Sequence, residues 1–256
     1  MITGMNELFS LGNRVAIVTG ASTGLGQAIC VGYAEAGARV VGVSRSSMAE
    51  TRQLVEAVGG SFLAVQADLM SCQPIELIIR ESLAAYGRID ILVNNAGITR
   101  RENAIDLTEA DWDDVLSVDA KSVYFLAQAV AKQFIRQGGG GKIINIASML
   151  SYQGGIRVPA YTAAKHAVKG MTMAMANEWA PYQINVNAIA PGYMATHMTE
   201  PIRVDTQRSA DILSRIPAGR WGTPDDLVGA SIFLAAKASD YIHGFTLAVD
   251  GGWLAR

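Results

Sequence analysis

The feature that most constrains this chain is the junction between its first apolar run and its first glycine cluster. Residues 14–19 (RVAIVT) are apolar and β-branched, and they pass directly into Gly20-Ala21-Ser22-Thr23-Gly24-Leu25-Gly26. Residues 25–36 then read as a helix. A buried strand, a tight turn and a helix in that order form a strand–turn–helix unit. Glycines at 20, 24 and 26 let the turn close and let a polyanion approach the backbone. The helix behind them offers unpaired N–H groups and the positive end of its dipole. This arrangement points to a dinucleotide pyrophosphate held by Gly20, Ser22, Thr23, Gly24, Leu25 and Gly26. Glycines needed only to pack a helix on a strand would not have to number three.

The rest of the chain repeats the alternation. Strand-like runs stand at 39–43, 61–66, 90–94, 142–148, 184–190 and 245–249. Helical patterns lie between them, ending near 58 and spanning 74–86, 108–137, 160–179 and 224–235. Thr108 is the expected N-cap of the longest, with Asp111 three residues on. Regular alternation implies right-handed crossovers onto a parallel sheet covered on both faces. The expected fold is α/β: a Rossmann-type doubly wound parallel sheet of about seven strands, helices on both faces. Residues 1–256 read as a single domain, with a substrate-loop insertion at about 191–224. Such an insertion reads either as a lid or as a surface helical hairpin.

Composition removes several classes of function. Half of the residues are apolar, enough for a large core, and 21 basic residues against 23 acidic give a net charge of −2. That balance lacks the basic footprint of a nucleic-acid binder. No apolar run reaches the roughly 18 residues that cross a bilayer. Cys30 and Cys72 are the only cysteines, and His166, His197 and His243 share no ligand spacing, so neither a disulfide framework nor a metal site is expected. The first twenty residues lack the basic segment and cleavage site of a secretory leader, which gives a cytoplasmic expectation.

Two further places carry chemistry. At the end of the second strand an acidic residue would accept from both ribose hydroxyls of NAD. This chain has Ser44-Arg45-Ser46 instead. Arg45 suits the 2′-phosphate of NADP; stacking on adenine or facing solvent is the other reading. Asp68, beside Leu69 after the third strand, is placed to bond the adenine amine. Tyr161 and Lys165 stand four residues apart on a helix and share a face. A cation there stabilises tyrosinate and lowers the phenol pKa, so the tyrosine can pass a proton near neutral pH. Ser148, expected to end the fifth strand, meets the same substrate oxygen.

The segments TGASTGLG (19–26), NNAG (94–97), Ser148, YTAAK (161–165) and PGYMAT (191–196) together resemble the short-chain dehydrogenase/reductases over essentially the whole chain. The resemblance implies an NAD(P)-dependent enzyme in which Ser148, Tyr161 and Lys165 are catalytic. It places Asn95, with Ala96 and Gly97, at the cofactor ribose, and Pro191, Gly192, Met194 and Thr196 over the nicotinamide. It also implies a homotetramer. One position departs: the family's asparagine in the long helix is Asp119 here. Aspartate preserves the family's water-borne proton relay if the main-chain carbonyl holds the water. Its charge, near Lys165, also raises the lysine pKa and shifts the tuning of Tyr161. An active enzyme with an altered pH profile is expected.

The small-molecule pocket is expected from the residues flanking Ser148 and Tyr161, including Gln153, Gly154 and Gly155. Arg157 and Arg100 are the candidates to bind a substrate carboxylate, with Arg101 beside the latter. Arg157 reads equally as a partner of nearby carbonyls or of another subunit. His197 and Met198 close over the substrate or face solvent. A more specific set (KIINIASMLSYQGGIRVPAYTAAK, NVNAIAPGYMAT, RIPAGRWG, AVDGGWLAR) is similar to the 2-dehydro-3-deoxy-D-gluconate 5-dehydrogenases. That likeness implies reversible reduction of 2,5-diketo-3-deoxygluconate, with NAD as cofactor and NADP left open by Arg45. A 3-ketoacyl carrier-protein reductase, using Arg100, Arg101, Lys132 and Arg136 as a docking patch, is the alternative. A catalytically silent nucleotide-binding protein, suggested by Asp119, is the remote one.

Overall fold

All the strand-forming runs enter one sheet. The computed structural model describes residues 4–256; Met1 to Thr3, which the sequence reading places in the same domain, lie outside the described residues. The strands are β1 (Val15–Thr19), β2 (Arg39–Ser44), β3 (Ser61–Gln66), β4 (Ile91–Asn94), β5 (Gly141–Ile146), β6 (Ile184–Pro191) and β7 (Thr246–Val249). They pair in the order β3-β2-β1-β4-β5-β6-β7, every neighbouring pair parallel. The chain builds outward from β1 to β3 and then returns to the other side of β1 with β4. The reversal opens a crevice at the carboxyl ends of β1 and β4, where open α/β sheets bind ligands.

The crossovers include α2 (Gly24–Glu35), α3 (Ala49–Ala57), α4 (Ile75–Tyr86), α5 (Glu109–Leu116), α6 (Ser122–Gln137), α7 (Pro159–Trp179) and α10 (Asp225–Ala235); α1 (Met5–Phe9) precedes β1. The alternation of β1 shows how both faces are filled. Ala16 and Val18 pack into a cluster with Ile29 and Tyr33 of α2 and Leu227 and Leu234 of α10. Val15 and Ile17 point the other way, to Ile78 of α4 and Leu126, Val130 and Phe134 of α6. Both faces are dry, so the strand reads as a continuous apolar run. The fold is the doubly wound, Rossmann-type sheet expected.

Two details differ from the sequence reading, and the insertion takes a helical form that it allowed. The expected helix over 108–137 is divided. Thr108 caps α5 by accepting from the Asp111 N–H at 3.1 Å, as expected, but Ser117–Lys121 forms a π turn before α6 begins. Such a turn inserts a residue without breaking the apolar stripe, so hydrophobic spacing does not mark it. The expected fifth strand over 142–148 stops at Ile146, and Ser148 instead caps the short 3-10 turn Met149–Ser151. The insertion after β6 is a 3-10 turn, His197–Thr199, followed by α8 (Glu200–Arg203) and α9 (Thr206–Leu213).

A buried polar chain ties the site-bearing elements together. Asn94 of β4 donates to the Asn145 Oδ1 at 2.9 Å, and Asn145 of β5 donates to the Thr172 hydroxyl of α7 at 2.9 Å. Thr172 passes its own proton to the Val168 carbonyl at 2.8 Å. Removing the middle member strands two buried partners. Asn145→Ala is therefore expected to cost about 1–3 kcal/mol, read as a lower urea midpoint; an unchanged midpoint contradicts this account.

Candidate active site

The crevice widens into a groove of about 950 Å³. Its floor is the turn after β1. Gly20 (φ +67°) and Gly24 (φ +57°) take the left-handed backbone that glycine adopts without strain. A Cβ on Gly26 would overlap the Gly20 carbonyl, and one on Gly20 would lie 2.8 Å from the Asn95 amide. Asn95 donates to the Thr19 carbonyl at 2.8 Å, and the Thr19 hydroxyl accepts from the Asn95 and Ala96 N–H groups at 3.0 and 2.9 Å. Side chains are thereby kept out of a cradle of backbone, and no side chain caps the α2 N-terminus that faces it. These residues fit the dinucleotide.

Every expected cofactor residue but one lines this groove. Ser22, Thr23, Gly24 and Leu25 lie along its floor, and Asn95, Ala96 and Gly97 along one side; Gly26 alone does not line it and acts by close packing. Pro191, Gly192, Met194 and Thr196 form the far end with Tyr161 and Lys165. Arg45 stands exposed at the mouth between Ser44 and Ser46, and Asp68, with Leu69, lies across from it. The Asp68 carboxylate accepts from the Met70 N–H at 3.0 Å.

Ser148 and Tyr161 line both this groove and a smaller cavity of about 240 Å³. The two spaces meet at these side chains. The Ser148 hydroxyl accepts from the Leu150 N–H at 3.1 Å, and the neighbouring Ser151 hydroxyl donates to the Lys165 carbonyl at 2.6 Å. The capping turn is thus fastened to α7. The Lys165 Nζ donates to the Ile146 carbonyl at 2.9 Å and sits 5.3 Å from the centre of the Tyr161 ring. It also lies 3.2 Å from Asp119 Oδ2, while Asp119 Oδ1 accepts from the Ile98 N–H at 2.7 Å. The π turn carries Asp119 inward, where its carboxylate touches the lysine directly.

The charges decide the proton chemistry. Burial works against the Lys165 charge, but Asp119 and Tyr161 outweigh it and hold the ammonium above its ordinary value. Burial pushes the Asp119 carboxyl up, against the pull of Lys165. Burial likewise pushes the Tyr161 phenol up; Lys165 draws it down, and Asp119 opposes Lys165. The net result is a phenol above its ordinary value, which corrects the expectation of a lowered one. Lys165 has the expected sign, but Asp119 cancels part of its charge.

The smaller cavity has Gln153, Gly154, Gly155 and Met198 on its wall, as expected. Neither of the two expected carboxylate binders lines this cavity. Arg157 points to solvent from a left-handed backbone (φ +64°), and only its carbonyl is engaged, accepting from the Glu102 N–H at 3.1 Å. Arg100 is held by Asp111 at 3.2 Å and Asp114 at 2.9 Å, and it lines the groove rather than the cavity. His197 is exposed and paired with Glu200 at 2.9 Å. Arg101, Arg208, Arg215, Tyr193 and Trp253 line the cavity instead. Of these, Arg208 and Arg215 carry a faint signal in the sequence, two helical turns apart within the insertion.

Residues 14–207 match the short chain dehydrogenase family. The chain belongs to that family. A 2-dehydro-3-deoxy-D-gluconate 5-dehydrogenase of Escherichia coli (strain K12) is 59% identical over 248 residues, covering 97% of this chain and 98% of the relative. A solved structure from Agrobacterium tumefaciens with bound NADP is 53% identical, with a TM-score of 0.91, covering 97% of this chain and 99% of that one. A gluconate 5-dehydrogenase from Burkholderia cenocepacia, in complex with NADP and tartrate, is 38% identical with a TM-score of 0.94, covering 99% of this chain and 100% of that one. The protein is an NAD(P)-dependent short-chain dehydrogenase acting on CH–OH groups. Asp119→Asn, by leaving Lys165 uncompensated, is expected to move the pH at which alcohol oxidation switches on to a lower value. A rate–pH curve identical to wild type contradicts that electrostatic role.

Proposed function

We propose that Ser148, Tyr161, Lys165 and Asp119 form the catalytic group of a sugar-acid oxidoreductase. Its reaction is the interconversion of 2,5-diketo-3-deoxygluconate and 2-keto-3-deoxygluconate. The observation that carries this reading is the set of Ser148 and Tyr161 lining a small cavity that also holds three arginines, in a chain 59% identical to an enzyme named for that chemistry. A relative in complex with tartrate, itself a hydroxy acid, adds support. The dinucleotide, when bound, supplies the hydride for reduction or accepts it in oxidation. The chain's own residues handle the oxygen and its proton. The Ser148 hydroxyl donates to the substrate carbonyl and fixes its direction, and the Tyr161 phenol gives the proton as the alkoxide develops. In oxidation the phenolate takes that proton from the hydroxyl. Lys165 stabilises the phenolate, and Asp119 with the Ile146 carbonyl keeps the ammonium in place.

NAD(H) is the cofactor of this reading, and Arg45, with no acidic residue beside it at the end of β2, also admits NADP(H). NADP in two structural relatives supports that second use. The 3-ketoacyl reductase alternative loses a docking cation, since Arg100 is spent on Asp111 and Asp114. A homotetramer accords with exposed Tyr241 and Phe245 beside the edge strand β7. Two free cysteines accord with a reducing, cytoplasmic setting; no helix among the described residues is long and apolar enough to cross a membrane.

Initial rates of NADH and NADPH oxidation with 2,5-diketo-3-deoxygluconate test the reading. Turnover is expected, and none with a 3-ketoacyl thioester; the reverse result replaces the substrate class. Arg45→Ala is expected to lower kcat/KM for NADPH about 10- to 100-fold, the range for a lost hydrogen bond to a charged group, and to spare NADH. Equal losses with both cofactors would place Arg45 elsewhere than at the 2′-phosphate.

A further inference from the structure

We propose that Arg101 and Arg208 form a carboxylate subsite at the end of the substrate cavity, with Arg215 supporting it from behind. A bound sugar acid then joins the insertion to the loop after β4. This inference rests on the sugar-acid reading above and names the part of the cavity that recognises the acid.

Three guanidinium groups, from Arg101, Arg208 and Arg215, line one cavity of about 240 Å³. Asp211 is the only acidic residue lining it; it is exposed, and its Oδ1 already accepts from the Gln207 amide at 2.9 Å. Among the described residues none of the three arginines has a carboxylate within ion-pair distance, although Arg88, Arg100 and Arg220 each do. Like charges gathered over a small cavity repel one another, and an anion between them relieves that repulsion. The excess is local, because the chain as a whole carries −2.

Position sets the far side of this subsite apart from the cofactor. Arg208, Arg215, Ile212 and Trp253 line the cavity and not the groove, whereas Arg101, Ser148 and Tyr161 line both. An acid whose reacting carbon meets Ser148 and Tyr161 therefore extends its other end toward the arginines, away from the dinucleotide phosphates. The wall behind is stiff. Tyr193 packs edge-on against Trp253 and Trp221 with ring centres 4.9 and 5.4 Å apart, and the Arg215 guanidinium lies 4.2 Å from the Trp253 ring centre. Arg215 is thus committed to an aromatic face, which leaves Arg101 and Arg208 as the forks that grip.

The electrostatics agree. Partial withdrawal from water depresses the Arg101 pKa, and the charges of Arg208 and Arg157 add to that, while Tyr193 and Tyr161 oppose it. Burial raises the Tyr193 phenol, and Arg208, Arg215 and Arg101 all draw it down. A phenol facing three cations remains protonated and adds a donor beside them. Because Arg101 follows β4 and Arg208 lies on α9, a carboxylate shared between them bridges fixed scaffold and insertion.

The test compares D-gluconate with D-glucitol, which differ only in carrying a carboxylate or a hydroxymethyl at carbon 1. Each is titrated calorimetrically into enzyme saturated with NADH, where neither is oxidised. Wild type is expected to bind gluconate at least tenfold tighter than glucitol. Arg208→Gln and Arg101→Gln are each expected to weaken gluconate at least tenfold and to leave glucitol as it was, and Arg208→Gln to leave NADH affinity unchanged. Equal binding of the two ligands, no gluconate binding to wild type, or gluconate affinity unaltered in both variants overturns the proposal. Inorganic phosphate bound as tightly, through the same arginines, replaces the carboxylate subsite by a general anion site. The readout is binding alone. Failure to reduce the diketo acid with the arginine dependence intact therefore rejects the reaction proposed above and not this subsite.

Discussion

The molecule is organised around one ammonium group buried at the edge of a parallel sheet. Lys165 is 3% exposed, and a charge so placed is unfavourable unless it is paired and hydrogen-bonded. Four separate elements meet to satisfy it. The end of β5 gives the Ile146 carbonyl, the π turn gives Asp119, α7 gives the lysine itself, and the loop after β4 holds Asp119 through the Ile98 N–H. Gly97 belongs to the same arrangement, because a Cβ there would come within 2.8 Å of the Asp119 carboxylate. The lysine thereby fixes how sheet, turn and helix come together, and Ser148 and Tyr161 take their places from that meeting.

A division of labour follows from the cavity walls. The groove is floored by backbone and glycine at the turn after β1, and the small cavity carries aromatic rings and guanidinium groups. Of the four residues proposed as catalytic, Ser148 and Tyr161 alone belong to both. The two spaces also share Thr99, Arg101, Gly192, Met198 and Thr199, so they meet along one common wall.

Much of the scaffold was legible in the chain, for reasons that belong to particular residues. β1 is apolar from Val15 to Val18 because Ala16 and Val18 meet α2 and α10 while Val15 and Ile17 meet α4 and α6. Thr108 and Asp111 announced a helix start correctly because the cap is a contact within four residues. The π turn gave no such local sign, since it preserves the apolar stripe and differs only in carrying Asp119 inward. Arg157 looked well placed because it lies between Ser148 and Tyr161 in sequence, yet its left-handed backbone turns it outward. Arg208 is remote from both in the chain and reaches the cavity only because α9 folds back across it. Proximity of that kind is set by tertiary packing, which spacing along the chain does not encode.

The insertion after β6 has a consequence for how such an enzyme diversifies. The groups proposed to pass the proton stand on the turn after β5, the π turn and α7, whereas Arg208 and Arg215 are carried by α9 and the residues just after it. A helix of eight residues, anchored in the cavity by Ile212, can exchange its polar face while the buried lysine and its partners stay as they are. If the arginines select the acid as proposed, part of that selectivity lies on a short external helix and can change while the buried lysine does not.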